Sequence, residues 1–481
     1  MPNATIPYLR SMTPRELDGC PIETHMIDEY VQTDLSYLKH LQKTDGPTLL
    51  AFAGVQSHQL QRSLDLAAYA LNRGVEHCVI GGPHPMTCDT SMLQGRGVSF
   101  ALSEAETVWT TILRDALDGE LHPVYGADRR WQAKLDSPVV EPPSREYMRR
   151  YVVPMLGIYP ARGCPFTCNF CSVILIAGHA IRSQSIETTL ASLRAAKAAG
   201  VKAIMFTSDN FNKYAEAPEL LQAMIDEKLT IPFFAQCDTQ IAKQESLVDL
   251  MSRAGCFQMF VGVESFNRKI LLAAHKGQNH PKLYGDIIQL CAQAGIISHF
   301  SNIIGFPEDT KEGIREHLDA LIGLAPDVAS FYILTPVPGT KQYDDFRAAG
   351  RIFETNLDRF DGTRPIWTHD ALSTTELQDS LFSCYRQFYS AKQLARFCLR
   401  NRKAAFARGV GLHLGLPFFS RYAASRRTHP MSGGIGQVRR DGDQDYRDLR
   451  RRRFGYDLVP LPGCLTLSAE DIALNKQARV S

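Results

Sequence analysis

The chain has 481 residues, 44% of them hydrophobic and 22% charged, a balance that excludes collagen-like, disordered and disulfide-scaffold classes. At roughly 100–200 residues per domain, this length predicts two or three packed units. Lys+Arg 53 against Asp+Glu 51 leaves a formal net charge of +2, so no global field draws the chain to nucleic acid or anionic lipid.

No apolar run reaches the roughly 18 residues of a membrane span, and the opening MPNATIPYLRSMTPRELDG lacks the basic-then-apolar order of a secretory signal. A cytoplasmic protein without a membrane span is expected. After an N-terminal lead over 1–46, residues 48–55 (TLLAFAGV) form an apolar run fit for a buried strand, and 60–71 follow with helical periodicity. Further apolar runs at 78–80, ending in Gly81-Gly82, and at 98–102, leading into a helical segment to 117, give β-α-β order. A small Rossmann-like, doubly wound unit is therefore predicted over 47–125. The polar, proline-bearing stretch 136–150 reads as an inter-domain linker, within a connecting region set at 126–150.

Alternation resumes and becomes regular over 151–345. Strands are predicted at 153–158, 201–206, 231–237, 256–263, 296–304 and 328–334, with helical patterns between them. Three of these helices stop at Ala199-Gly200, Ala254-Gly255 and Ala294-Gly295, where glycine supplies a left-handed helix end without steric penalty. Six strand-helix units in about 190 residues predict an α/β fold with a partial (β/α)6 TIM-like barrel, its ligands at the C-terminal ends of the strands.

The region 346–481 is predicted mainly helical, with an amphipathic segment over 376–400. Its aromatic residues Phe382, Tyr385, Phe388 and Tyr389 suit a cover over the barrel mouth that shapes a substrate pocket; a packing extension is the alternative. The run Arg450-Arg451-Arg452-Arg453 is interspersed with Asp441, Asp443, Asp445 and Asp448 nearby, a mixed-sign pattern of ordinary solvated surface.

Of 12 cysteines, nine are scattered singly, and most of those read as small buried hydrophobes. The other three crowd into Gly163-Cys164-Pro165-Phe166-Thr167-Cys168-Asn169-Phe170-Cys171, in the loop after the first barrel strand. Structural zinc wants four ligands, usually two Cys-x2-Cys pairs, and no second pair exists in the chain. A cubane iron-sulfur cluster held by three cysteines leaves one iron open to an external ligand.

The stretch ARGCPFTCNFCS resembles the cluster loop of radical S-adenosylmethionine (SAM) enzymes. That resemblance implies that Cys164, Cys168 and Cys171 hold a [4Fe-4S] cluster whose open iron is chelated by SAM, and that Phe170 packs near the adenine. Further segments recur in the family's order over 154–340. Phe206-Thr207-Ser208-Asp209-Asn210 resembles the acidic motif that contacts the SAM amino group, which assigns Asp209 that role with Asn210 beside it, although the more usual Gly-Gly-Glu is absent. Val261-Gly262-Val263-Glu264-Ser265 resembles the fourth-strand segment, with Glu264 facing the cofactor, and Gly305-Phe306-Pro307 the fifth-strand segment near the adenosine. Thr335-Pro336-Val337-Pro338-Gly339-Thr340 resembles the segment that closes the barrel. Arg182 stands where relatives carry an arginine that pairs with the SAM carboxylate; a surface arginine at a helix start is the alternative.

The N-terminal unit resembles, more weakly, the cobalamin-binding domain found ahead of the barrel in one radical SAM class. Gly81-Gly82-Pro83-His84 matches its glycine pair, where bare backbone can approach a macrocycle, and Ser103-Glu104-Ala105-Glu106 its Gly-Glu-x-Glu run. The Asp-x-His-x-x-Gly motif is missing, and the usual opening strand and helix are absent or degenerate. The resemblance thus leaves open a unit that binds cobalamin and one that only caps the barrel. His58 and His84 are the histidines near its ligand loops, either as cobalt ligands or as ordinary hydrogen-bonding residues. The implied activity is reductive cleavage of SAM to functionalise an unactivated carbon of a small metabolite, first as cobalamin-dependent C-methylation. The alternatives are cobalamin-independent cyclisation, oxidation or SAM-fragment transfer, and a non-catalytic barrel that only binds. The implied partners are a small-molecule substrate and an electron donor such as flavodoxin or ferredoxin, with no nucleic acid.

Overall fold

Short apolar runs separated by amphipathic stretches bury most surface when parallel strands are joined by crossing helices, and both halves of the chain fold this way. The structure is a computed structural model that describes residues 3–29, 31–32, 46–128, 135, 137–354 and 356–430. The arginine-rich run and Cys464 lie outside the described residues.

The N-terminal unit begins with helix α1 (Thr5–Met12) and contains strands β1 (Leu49–Phe52), β2 (His77–Gly81), β3 (Ser99–Ala101) and β4 (Val124–Tyr125). All pair in parallel in the order β1-β2-β3-β4, with helices α2 (Ser57–Leu71), α3 (Pro83–Thr87) and α4 (Ala105–Asp118) between them. The two-residue strand β4 is too short to leave a periodic signal. Among the described residues, no strand pairs with the outer edge of β1. The linker does not hang free: Ser137 Oγ meets Tyr8 Oη at 2.7 Å, Glu141 N donates to Ser11 Oγ, and Val140 N donates to Ser192 Oγ, each at 2.9 Å.

The second unit is a six-stranded parallel sheet: β5 (Met155–Ile158), β8 (Ala203–Phe206), β9 (Phe233–Cys237), β10 (Cys256–Glu264), β11 (Ile297–Ile304) and β12 (Val328–Ile333), in chain order. Two short strands, β6 (Ala161–Arg162) and β7 (Arg182–Ser183), form an antiparallel pair around the cysteine loop. Several strands start one or two residues later than periodicity predicts. Pro154 lacks an N–H for the ladder, and Val201 N and Ile296 N instead donate to Ala196 O (3.0 Å) and Cys291 O (2.8 Å), closing the preceding helices. The outward face of the sheet packs beneath helices α6 (Ile186–Ala198), α7 (Ala217–Asp226), α8 (Glu245–Ala254), α10 (Tyr284–Gln293) and α11 (Lys311–Leu324), while the short helices α5 (Val173–Ala177) and α9 (Arg268–Ala273) lie toward the N-terminal unit. Phe206, Phe233, Met259, Phe300 and Phe331 are fully buried there.

Beyond helix α12 (Lys341–Ala348), the single predicted segment 376–400 is two helices, α13 (Thr374–Phe388) and α14 (Ala391–Ala407). Ser373 and Glu376 form a capping box on the first, and Ser390 Oγ caps the second. The expected cover over the barrel mouth is not what they make. Tyr385 and Tyr389 reach the exposed edge of β12: Phe331 N and Ala329 N donate to their hydroxyls at 3.1 Å, and the hydroxyls donate to Phe331 O (3.2 Å) and Ala329 O (2.7 Å). Ala405 and Val410 pack on Met155, Ala203 and Phe257, at the N-terminal ends of the strands. An open barrel must protect its last strand, and the aromatic residues serve that need. The opposite end receives the N-terminal unit, whose Leu60, Leu64, Ile80 and Phe100 join Ala274, Phe306, Leu334 and Trp367 in one apolar cluster.

Candidate active site

The cysteine loop is tied down from several directions. Gly163 has φ +107°, and a Cβ there would lie 2.2 Å from Ala180 O, so only glycine fits. Gly163 N donates to Asp209 Oδ2 at 2.8 Å, and Cys164 N to Gly178 O at 3.2 Å. Farther along, Asn169 N donates to Ala274 O (3.2 Å), while Asn169 O accepts from Gln342 N (3.0 Å). The three thiols are half-buried; burial pushes Cys171 up to about 12 and Cys164 upward, and the neighbouring thiols add to both shifts. Gln278 Nε2 lies 3.6 Å from Cys168 Sγ and Asn210 Nδ2 lies 4.0 Å from Cys164 Sγ, so amide donors face two of the sulfurs.

Three thiols on a pinned loop, with amide donors beside them, fit an iron-sulfur cubane. Among the described residues, no three His, Cys, Asp or Glu side chains converge on a single ion. Ser208 Oγ, at the end of β8, is buried without a hydrogen-bond partner among the described residues, and a polar ligand group would satisfy it.

The polar residues at the strand ends do work the sequence did not assign them. Asp209, expected at the SAM amino group, spends one carboxylate oxygen on Gly163 N; burial raises its pKa. Asn210 is held by Asp238: Nδ2 donates to Asp238 Oδ2 (2.9 Å) and Oδ1 accepts from Asp238 N (3.0 Å). Asp238, at the end of β9, was missed by sequence reasoning; a polar residue directly after an apolar strand was its only signal. Glu264 stands in the left-handed region at φ +61° beside a register shift in β10, a strained conformation for a residue with a side chain. Lys276 Nζ donates to Glu264 Oε1 at 2.6 Å and lies 5.8 Å from the Phe170 ring centre. Burial opposes the charge on Lys276, but Glu264 and the nearby Cys168 and Cys171 thiols together outweigh it and hold the pKa above the ordinary value. Lys276 too was missed, since nothing in AAHKGQNH marks it.

Phe170 packs edge-on against Phe306 at 6.2 Å. The Gly305-Phe306-Pro307 turn is fixed by Asp309, whose Oδ2 accepts from Gly305 N (2.8 Å) and Phe306 N (3.0 Å), and by His369, whose Nε2 donates to Phe306 O (2.7 Å).

Arg182 requires a correction. Its guanidinium is buried and committed: Nη1 donates to Glu104 Oε2 (2.6 Å), and Nη2 to Glu104 Oε1 and Ala177 O (both 2.9 Å). It ties the hairpin to the N-terminal unit, where the expected role needed an arginine free for a carboxylate. Arg162 adds contacts to Glu104 (3.0 Å) and Glu106 (2.8 Å).

The glycine pair is used by the chain itself. Gly81 O accepts from Val55 N at 2.9 Å, and a Cβ on Gly82 (φ +133°) would lie 2.2 Å from Val55 N. Gly82 is therefore required by the chain's own packing. His84 is buried with Nδ1 3.0 Å from Ser57 Oγ, and burial lowers its pKa to about 3.

Residues 158–321 match the family described as the Radical SAM superfamily. The chain carries a radical SAM domain. It is accordingly a radical SAM enzyme, of a fold that binds a [4Fe-4S] cluster and SAM. The bacteriochlorophyllide d C-12(1)-methyltransferase of Chlorobaculum tepidum is 26% identical over 331 residues, 66% of this chain and 70% of that one. Among solved structures, the radical SAM methyltransferase TsrM from Kitasatospora setae, with cobalamin and a [4Fe-4S] cluster bound, superposes with TM-score 0.54 at 17% identity, over 67% of this chain and 70% of that one. The cobalamin-dependent radical enzyme OxsB, with aqua-cobalamin and SAM bound, gives TM-score 0.58 at 15% identity, over 90% and 74%. At these identities the two structures establish a shared fold. No helix among the described residues is long and apolar enough to cross a membrane.

Proposed function

We propose that this radical SAM enzyme holds its cluster on Cys164, Cys168 and Cys171 and functionalises an unactivated carbon of a small molecule, with methylation as the outcome. The observation that carries the assignment of ligands is the cysteine loop itself, pinned at Gly163, Cys164 and Asn169 at the ligand-binding end of the barrel. The methyltransferase relatives support the outcome.

A cluster with SAM on its open iron supplies one-electron chemistry able to break an unactivated C–H bond. The chain's own residues prepare the place for it. Asp209 fixes the first turn of the loop through Gly163 N, and Gln278 and Asn210 aim N–H donors at two sulfurs; such hydrogen bonds tune cluster potential. Lys276, charged and paired with Glu264, supplies a cation beside the thiols. Phe170 on Phe306 forms an apolar wall for an adenine, with Gly305 and Pro307 next to it. The apolar seam with the N-terminal unit excludes water from that end. A flavodoxin- or ferredoxin-type protein supplies the electron.

A second reading, favoured by the packing of Gly81 and Gly82 against Val55, is a reaction without cobalamin, ending in cyclisation or oxidation. The test is anaerobic production with hydroxocobalamin supplied, followed by cobalt analysis and product analysis. Stoichiometric cobalt with S-adenosylhomocysteine supports methyl transfer. Intact cluster, no cobalt and 5′-deoxyadenosine alone support the second reading.

A further inference from the structure

Helix α14 lies across the base of the barrel, at the end opposite the cysteine loop. Phe397 packs on Ile297 and Val328, the first residues of β11 and β12, while Ala405 packs on Met155 and Ala203, the first residues of β5 and β8. The helix thus underlies the sheet from one edge to the other. Its outward face is bare: Lys392, Arg396, Leu399, Arg402, Lys403 and Phe406 are all exposed. Lys392, Leu399 and Phe406 recur at seven-residue spacing, which puts them on one stripe of the helix. Leu399 is 69% and Phe406 71% exposed. Val152, 84% exposed, follows the exposed Arg149 and Arg150, and its neighbour Val153 packs into the cluster of Ala405 and Val410, so it stands beside the same base. On the next helix, α15 (Leu416–Ser425), Phe418 and Tyr422 are exposed, with Arg426 5.8 Å from the Tyr422 ring centre.

The chain's near-zero net charge conceals a segregation. Between Asp379 and Asp441 the sequence holds 12 Lys or Arg and no Asp or Glu. Some of these cations are spent inside the protein. Arg400 Nε donates to Asp327 Oδ1 (2.7 Å), Arg408 Nη2 to Ser252 Oγ (3.1 Å) and Arg421 Nη1 to Tyr389 O (2.5 Å), and Arg427 pairs with Asp379 (2.6 Å). Lys392, Arg396, Arg402 and Lys403 form no ion pair among the described residues. Single exposed apolar side chains are ordinary on any surface. Leu399 and Phe406 instead project from a field of cations, and that combination suits a layer that is anionic outside and apolar beneath.

We propose that the base of the barrel is a docking surface for an anionic lipid bilayer, with the Lys and Arg side chains of α14 over the headgroups and Leu399, Phe406 and Val152 dipping below them. Basic residues near such a surface and apolar side chains entering it add their contributions. A nucleic acid would offer phosphates to the same cations but would leave the aliphatic Leu399 and Val152 in water. The bilayer is an anchor and not the substrate, because the cysteine loop faces the other way, and the mouth of the barrel stays open to an electron donor.

The test is co-sedimentation of the full-length protein with vesicles of phosphatidylcholine containing about one-quarter phosphatidylglycerol, beside vesicles of phosphatidylcholine alone. At about 0.1 M salt the anionic vesicles should bind at least tenfold more tightly, and raising salt to about 0.5 M should weaken that binding several-fold. Lys392→Glu with Lys403→Glu should weaken it about tenfold. Leu399→Ser with Phe406→Ser, which keeps every charge, should weaken it about fivefold or more, and Leu399→Ser alone about threefold. These side chains are exposed, so thermal unfolding should be unchanged in each variant. No binding to anionic vesicles, equal binding to both kinds, or undiminished binding in the charge-reversed pair or in Leu399→Ser would each overturn the proposal. Tighter binding of a duplex oligonucleotide than of the vesicles, insensitive to Leu399→Ser, would overturn it in favour of a nucleic acid. Vesicle binding needs no cluster, so this result is read separately from the proposed function.

Discussion

Glu104 and Arg182, 78 residues apart in sequence, form a two-pronged ion pair at 2.6 and 2.9 Å in which both side chains are 5% exposed. The carboxylate comes from the N-terminal unit and the guanidinium from the hairpin that carries the cysteine loop. Arg162, on the other strand of that hairpin, binds Glu104 and Glu106 as well. The two units are thereby joined directly behind the candidate cluster. Glu104→Ala leaves two buried arginines short of a partner, which should destabilise the protein by roughly 3–5 kcal/mol. Denaturant unfolding checks the stability, and iron per chain after reconstitution should fall with it.

The hydroxyls of Tyr385 and Tyr389 cover the open edge of β12. Tyr385→Phe and Tyr389→Phe should each cost about 1–3 kcal/mol, since each strands a backbone N–H inside the protein. Truncation before Thr368 should give aggregation, because it uncovers that strand and removes core residues such as Leu377 and Leu381. Thermal unfolding and light scattering distinguish this from a removable lid, whose loss would leave a soluble barrel.

Burial raises the Asp309 carboxyl from 3.8 to about 6. The folded state therefore binds the proton more tightly than the unfolded chain, so stability falls as pH rises from about 4 to 6 and is level above. The contribution is on the order of 3 kcal/mol. Asp309→Asn, which keeps an acceptor for Gly305 N and Phe306 N, should flatten that part of a stability-versus-pH curve measured by urea unfolding.

Gly163→Ala should displace the cysteine loop, since the new Cβ meets Ala180 O. Reconstituted iron should drop several-fold while far-ultraviolet circular dichroism stays that of the folded barrel.

The strands and the cysteine loop were legible because they are written locally, as apolar runs and as a thiol spacing. The partnership of residues was not. Arg182 carries no mark of Glu104, and Lys276 none of Glu264, because the fold alone brings them together. The aromatic stripe of α13 announced a buried face without saying what would bury it; the unpaired edge of β12 decided that. The glycines at 81 and 82 were read as room for a ligand, and nothing in the sequence showed that Gly82 is also approached by the chain's own Gly54 and Val55.

The central claim is that Cys164, Cys168 and Cys171 hold the catalytic cluster. It is tested most directly by anaerobic reconstitution of the wild type beside a triple Cys→Ala variant, measuring iron, sulfide and dithionite-dependent cleavage of SAM. The account predicts about four irons and four sulfides per wild-type chain with SAM cleavage, and neither in the variant. Equal iron and equal SAM cleavage in both proteins would contradict it.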